Sequence, residues 1–294
     1  MTRLLPALLL AALLAAPGPA ARSETPDYAR TPVLFVHGHG LSSSDWQPLI
    51  AHLVAAGYPR EYLHAVDIVP NTMANAAAAE SVIAPAATAL LARAKAFADT
   101  HGRRGLTTGQ LDIVGHSMGA VSSRWYAARL RPELVRTWIA LAGANHGTDA
   151  LCPYRDPAAR EMCPAFATSA RTHALQAALN GPGADESPYG LGADAPGVRS
   201  VPADGRRRVL YLTVRVEPDA WIQPARSAEL DGAGGAAIAV PAGVPARETS
   251  PGNFRFEAAV DHDSLLQHPD LHRLVAAMLA ARDSASVARP AARF

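Results

Sequence analysis

The chain has 294 residues, 49% of them hydrophobic, and a formal net charge of +1. That length supports one large domain with a substantial core. The near-neutral balance, without a basic stripe or interleaved aromatic and basic residues, leaves no electrostatic footprint for nucleic acid. The single run of three basic residues, Arg206, Arg207 and Arg208, reads as the solvated start of a strand.

The chain begins MTRLLPALLLAALLAAPGPA: an arginine near the start, an apolar core over residues 4–16, then small residues and prolines. This is the layout of a signal peptide, with cleavage expected near Ala20 or Ala21. The run is too short for a membrane-spanning helix, which needs about 20 apolar residues. The expectation is a 1–21 leader and an exported protein, secreted or periplasmic, formed by residues 22–294 as a single domain.

Residues 32–36 (PVLFV) form a continuous apolar run of the kind a strand buried on both faces requires, and they lead directly into His37-Gly38-His39-Gly40. Ser44-Asp45 offers a helix cap, and Trp46, Leu49, Ile50, Leu53 and Val54 recur at helical spacing until Gly57. A second strand is expected over 63–69 and a long helix over 76–100, with Pro85 kinking it or marking its first turn. Residues 111–114 give the next strand, and a helix follows from about 120 to 131, where Pro132 closes it. Strands are further expected over 138–142, 209–216 and 254–260. Strands alternating with helical patterns predict parallel β-α-β units and an α/β fold.

Between about 147 and 204 the periodicity weakens, and Pro, Gly and Asp become frequent. A loop this long is usually functional or mobile, so an insertion covering a site is expected, with one helix over 166–179. Cys152 and Cys163 both fall in it, and in an exported chain such a pair forms a disulfide. Residues 283–294 read as a frayed tail.

Within residues 111–119, LDIVGHSMG, a serine sits between two glycines where a buried strand ends. A chain of this composition would contain Gly-x-Ser-x-Gly by chance with a probability of roughly 0.09, so position must decide. In parallel sheets ligands bind at the carboxyl ends of strands, and both HGHG and GHSMG fall at that edge. Ser117 is then the candidate nucleophile, needing a base to take its proton and an acid to orient that base. On such a fold the order is serine, acid, histidine. Asp219 follows the strand at 209–216, with Glu217 as nearest competitor, and His262 follows the strand at 254–260. His268 and His272 fall in or near the final helix and read as a solvated face; His52, His64 and His101 read as surface residues. The oxyanion donors would be the backbone N–H groups of Met118 and of His39, which Gly38 and Gly40 flank. His37 and His39 could also be read as metal ligands, but no third ligand lies at suitable spacing.

These residues resemble a known family. PVLFVHGHG, LDIVGHSMG, ALAGANHGT, EPDAWIQPARSAELDGA and HDSLLQHPDL occur in the order seen in bacterial secreted lipases of the α/β-hydrolase fold and in the related extracellular poly(3-hydroxybutyrate) depolymerases. The resemblance implies Ser117, Asp219 and His262 as a triad, with His39 and Met118 as oxyanion donors. Many of these lipases bind calcium through an aspartate two positions after the catalytic histidine; that position here is Ser264, beside Asp263, and no metal or other cofactor is carried over. The expected activity is hydrolysis of carboxylic esters of lipids, with contact to a lipid interface. A depolymerase using the same triad and a non-catalytic lipid-binding protein are the alternatives.

Overall fold

The computed structural model describes residues 26–102, 109–180, 209–230 and 238–287. The expected leader at 1–21, residues 181–204 of the expected insertion, and Arg206 to Arg208 lie outside them. Seven strands form one sheet: β1 Val33–Val36, β2 Leu63–Val66, β3 Leu111–His116, β4 Val135–Leu141, β5 Leu210–Arg215, β6 Ala246–Ser250 and β7 Asn253–Phe256. Their order is β2-β1-β3-β4-β5-β7-β6. All neighbours are parallel except β6, which pairs antiparallel with β7 at the edge. This is the mostly parallel sheet of the expected α/β fold. Every residue of β1, β3 and β4 is buried, as expected for strands covered on both faces by helices.

β1 stands between β2 and β3, so the chain reverses its winding between β1 and β3. Crevices for ligands open at such a switch point, outside the carboxyl ends of the strands. The turns after β1 and β3 therefore face each other across the natural site of this fold.

The helix after β1 starts earlier than expected. Ser42, not Ser44-Asp45, is the cap: Asp45 Oδ2 accepts from the Ser42 N–H at 2.9 Å, and the helix Gln47–Ala55 follows a short 3-10 turn. The long helix spans Asn75–Thr100, and its buried residues Ala79, Ile83, Ala87, Leu90, Ala94 and Ala98 lie along one face. Pro85 falls in the first turn of the regular α-helical segment Ala84–Thr100, one of its two expected places, and Ala79–Ile83 just before it winds as a π-turn. Proline lacks the N–H for an α-helical bond and clashes with the preceding turn, and the wider turn makes room for it.

The expected insertion departs most from its sequence reading. The Cys152–Cys163 disulfide is present. The helix expected over 166–179 is found only at Ala174–Asn180; Phe166, at its expected start, takes a left-handed φ of 56° and stacks on His146. A helix at Pro157–Met162, capped by Asp156, was not expected. β6 was also missed, since an exposed edge strand shows no apolar run. The last helix, Pro269–Val287, continues through residues 283–287 of the expected tail, and residues 288–294 lie outside those described.

Candidate active site

Ser117 sits in a sharp turn between β3 and the helix Met118–Trp125, at φ 53° and ψ −123°, a conformation that non-glycine residues adopt only under strain. Its N–H bonds the carbonyl of Leu141 at the end of β4, which anchors the turn to the sheet. From Leu111 to Arg124 it is the only residue not fully buried, so its hydroxyl alone is presented outward.

Close backbone approach builds this turn. A Cβ on Gly119 would lie 2.3 Å from the carbonyl oxygens of Val36 and His37, so the helix start packs directly on the end of β1. A Cβ on Gly115 would lie 2.7 Å from the Ala120 Cα, where the helix folds back on its own strand. On the facing turn, a Cβ on Gly38 would lie 2.9 Å from the Ser117 Cβ. The backbone next to His39 thus lies against the serine, while Met118, buried, opens the helix on its other side. The two expected oxyanion donors are brought to the same serine from two turns.

His37 fixes the β1 turn. Its Nε2 accepts the N–H of Ile68 at 2.9 Å, which leaves Nδ1 to donate to the Gly38 carbonyl at 2.8 Å. Both ring nitrogens are thereby used, and the metal reading of His37 and His39 fails.

Asp219 and His262 come together as expected. His262 Nδ1 donates to Asp219 Oδ2 at 2.9 Å, with both residues buried. Asp219 Oδ1 accepts two backbone N–H groups, from Trp221 at 2.8 Å and Ile222 at 2.9 Å, which locks the carboxylate in one orientation. Thr148 braces that loop: its Oγ1 donates to the Trp221 carbonyl at 2.7 Å and accepts the Gln223 N–H at 2.9 Å. Glu217, the competitor, turns away to Arg215, whose guanidinium holds its carboxyl below the usual range.

His116 joins the two halves, and the sequence reading passed over it. From within GHSMG it donates Nε2–H to the carbonyl of His262 at 3.0 Å, and the two rings lie 4.6 Å apart. Burial, and then His262 beside it, push its pKa well below the ordinary value, so it stays neutral. The signal was its place directly before Ser117, read as the variable position of the motif. His272 is a correction: instead of a solvated face, it is buried and donates Nε2–H to the Leu266 carbonyl at 2.8 Å.

As to metals, His116, His262 and Asp263 have ligand atoms within 4.8 Å of one another among the described residues. His262 Nδ1 is bound to Asp219 and His116 Nε2 to a carbonyl, so one nitrogen of each ring is committed to the protein. Ser264, at the position of the calcium-binding aspartate, is taken up with Asp261: its N–H donates to Asp261 Oδ1 at 2.7 Å.

The fold is a mostly parallel α/β sheet in which the Ser117 turn and the bound Asp219–His262 pair both follow the carboxyl ends of strands. Residues 30–170 match the family model described as lipase (class 2), a stretch that includes His39, Ser117 and Met118 and ends before Asp219. Over that stretch, a little under half of its length, the chain is similar to class 2 lipases. No curated protein matches it. Among solved structures it is similar to lipase B of Aspergillus fumigatus, at 16% identity and a TM-score of 0.46, covering 70% of this chain and 44% of that one. The chain thus spans less than half the length of that lipase. It is also similar to the mature lipase BlEst2 of Bacillus licheniformis, at 16% identity and a TM-score of 0.48 over 87% of this chain and 94% of that one. An esterase of Pyrobaculum calidifontis follows at 17% identity and a TM-score of 0.40, over 88% and 78%.

Proposed function

We propose that the protein is an exported serine hydrolase that cleaves carboxylic esters of lipids through an acyl-enzyme on Ser117. The observation that carries this is the 2.9 Å His262–Asp219 bond, held at the sheet edge that bears the strained Ser117 turn. In this reading His262 takes the proton of Ser117 as its oxygen attacks the ester carbonyl. The carbonyl oxygen, now negative, is held by the N–H groups of His39 and Met118. The carbon–oxygen bond to the alcohol then breaks, and His262 passes its proton to the departing alcohol. Water, activated by His262, releases the acid and restores the serine. Asp219 orients the imidazole and balances its charge during both steps.

The disulfide supports an oxidising compartment, in keeping with the expected leader. The substrate class is tested by comparing hydrolysis of emulsified triacylglycerol with clearing of a poly(3-hydroxybutyrate) film. We expect acid release from the triacylglycerol; activity confined to the film would replace the lipid reading with the depolymerase one.

A further inference from the structure

We propose that Asp156 is a positioning residue for the oxyanion turn, steadying His39 from the loop that the Cys152–Cys163 disulfide closes. The proposal rests on the reading of His39 as an oxyanion donor. Asp156 Oδ2 stands 3.4 Å from His39 Nε2, which is buried and has no hydrogen-bond partner, and both side chains are largely shielded from solvent. Its other oxygen is already committed: Oδ1 accepts the Ala159 N–H at 3.0 Å as the cap of the helix Pro157–Met162. The carboxylate is therefore held in place and offers its free oxygen to His39. The ring of Tyr154, from the same loop, lies edge-on to His39 at 6.4 Å.

The turn needs such an anchor. Gly38 is packed against Ser117, but on the other side of His39 a Cβ on Gly40, at a left-handed φ of 76°, would meet nothing within 4 Å, so the turn is held on one side only. Among the described residues, no other carboxylate pairs with His39. The loop is tied in turn to the other side of the oxyanion site. Glu161 Oε2 accepts from the Asn75 side chain at 2.9 Å, and Asn75 Oδ1 accepts from Ser122 Oγ at 2.7 Å, on the helix that Met118 opens. One closed loop thus reaches both elements that supply the donors.

The test uses the full-length, disulfide-bonded protein and a p-nitrophenyl ester. Asp156→Asn keeps an oxygen for the helix cap, where asparagine serves as well as aspartate, but removes the charge facing His39. We expect kcat to fall about tenfold, the scale on which small misplacements of reacting groups are felt, with KM and Tm unchanged. His39→Ala, which keeps the backbone N–H, should lower kcat by a similar factor, and the double variant should be no worse than either single one. A kcat of Asp156→Asn within twofold of the parent, or losses that multiply in the double variant, would overturn the proposal. A parent protein that neither hydrolyses the ester nor labels at Ser117 would instead remove the hydrolase reading beneath it.

Discussion

The two halves of the site are held by different physics. The Ser117 turn and the His39 turn are fixed by backbones in contact, at Gly38, Gly115 and Gly119, where a single added carbon does not fit. The Asp219 and His262 loops are fixed by hydrogen bonds: two backbone N–H groups on Asp219, Thr148 behind them, and His116 on the carbonyl of His262. Close packing sets a nucleophile's position and strain with little tolerance. Hydrogen bonding sets the direction of a proton path and can be altered without moving the chain. Substitutions in the first half should therefore damage stability and activity together, whereas those in the second should separate them.

Asp219→Asn should have the largest effect on activity. The amide oxygen can still accept the Trp221 and Ile222 N–H groups, but the imidazole loses the charge that fixes its tautomer, and kcat should fall about 10⁴-fold. Circular dichroism and Tm should stay at the parent values; a loss of fold would break the distinction. Gly119→Ala should show the opposite pattern. Its methyl meets the carbonyls of Val36 and His37, so we expect a loss of about 2 kcal/mol in the urea midpoint analysis together with a drop of about 10²-fold in kcat.

His116→Phe is the smallest change and bears on the link between the halves. Without the donor to the His262 carbonyl, kcat should fall about tenfold. The same variant should alter acid stability. His116 is held well below its ordinary value of 6.5 in the folded protein, chiefly by burial. Above that pH both folded and unfolded chains carry it neutral. As the pH falls below it, only the unfolded chain takes up the proton, and stability declines by up to about 1.4 kcal/mol per pH unit until the folded value is reached. Urea midpoints between pH 7 and pH 5 should therefore fall less steeply for His116→Phe than for the parent; equal slopes would mean that His116 is not buried as described.

The same contrast explains what could be read from sequence. β1, β3 and β5 were legible from their apolar runs, with glycines marking the tight turns after β1 and β3, whereas β4 was legible only from Trp138 because Arg136 and Thr137 interrupt its run. Asp219 and His262 were legible because chain order and strand ends constrain them. The exposed β6 carries no such run, and Pro157–Met162 is a short helix in a segment without periodicity. His116 acts through one hydrogen bond and Thr148 through two across long sequence separations, and Asp156 through one contact with His39, a kind of information that local pattern does not hold.

The central claim, that Ser117 is the nucleophile, is tested most directly by reacting the folded protein with a fluorophosphonate probe and locating the adduct by peptide mass analysis. We predict one label per chain on Ser117, ester hydrolysis lost in proportion to labelling, and no label on Ser117→Ala of unchanged circular dichroism. Label on another residue, or undiminished ester hydrolysis by a fully labelled protein, would contradict it.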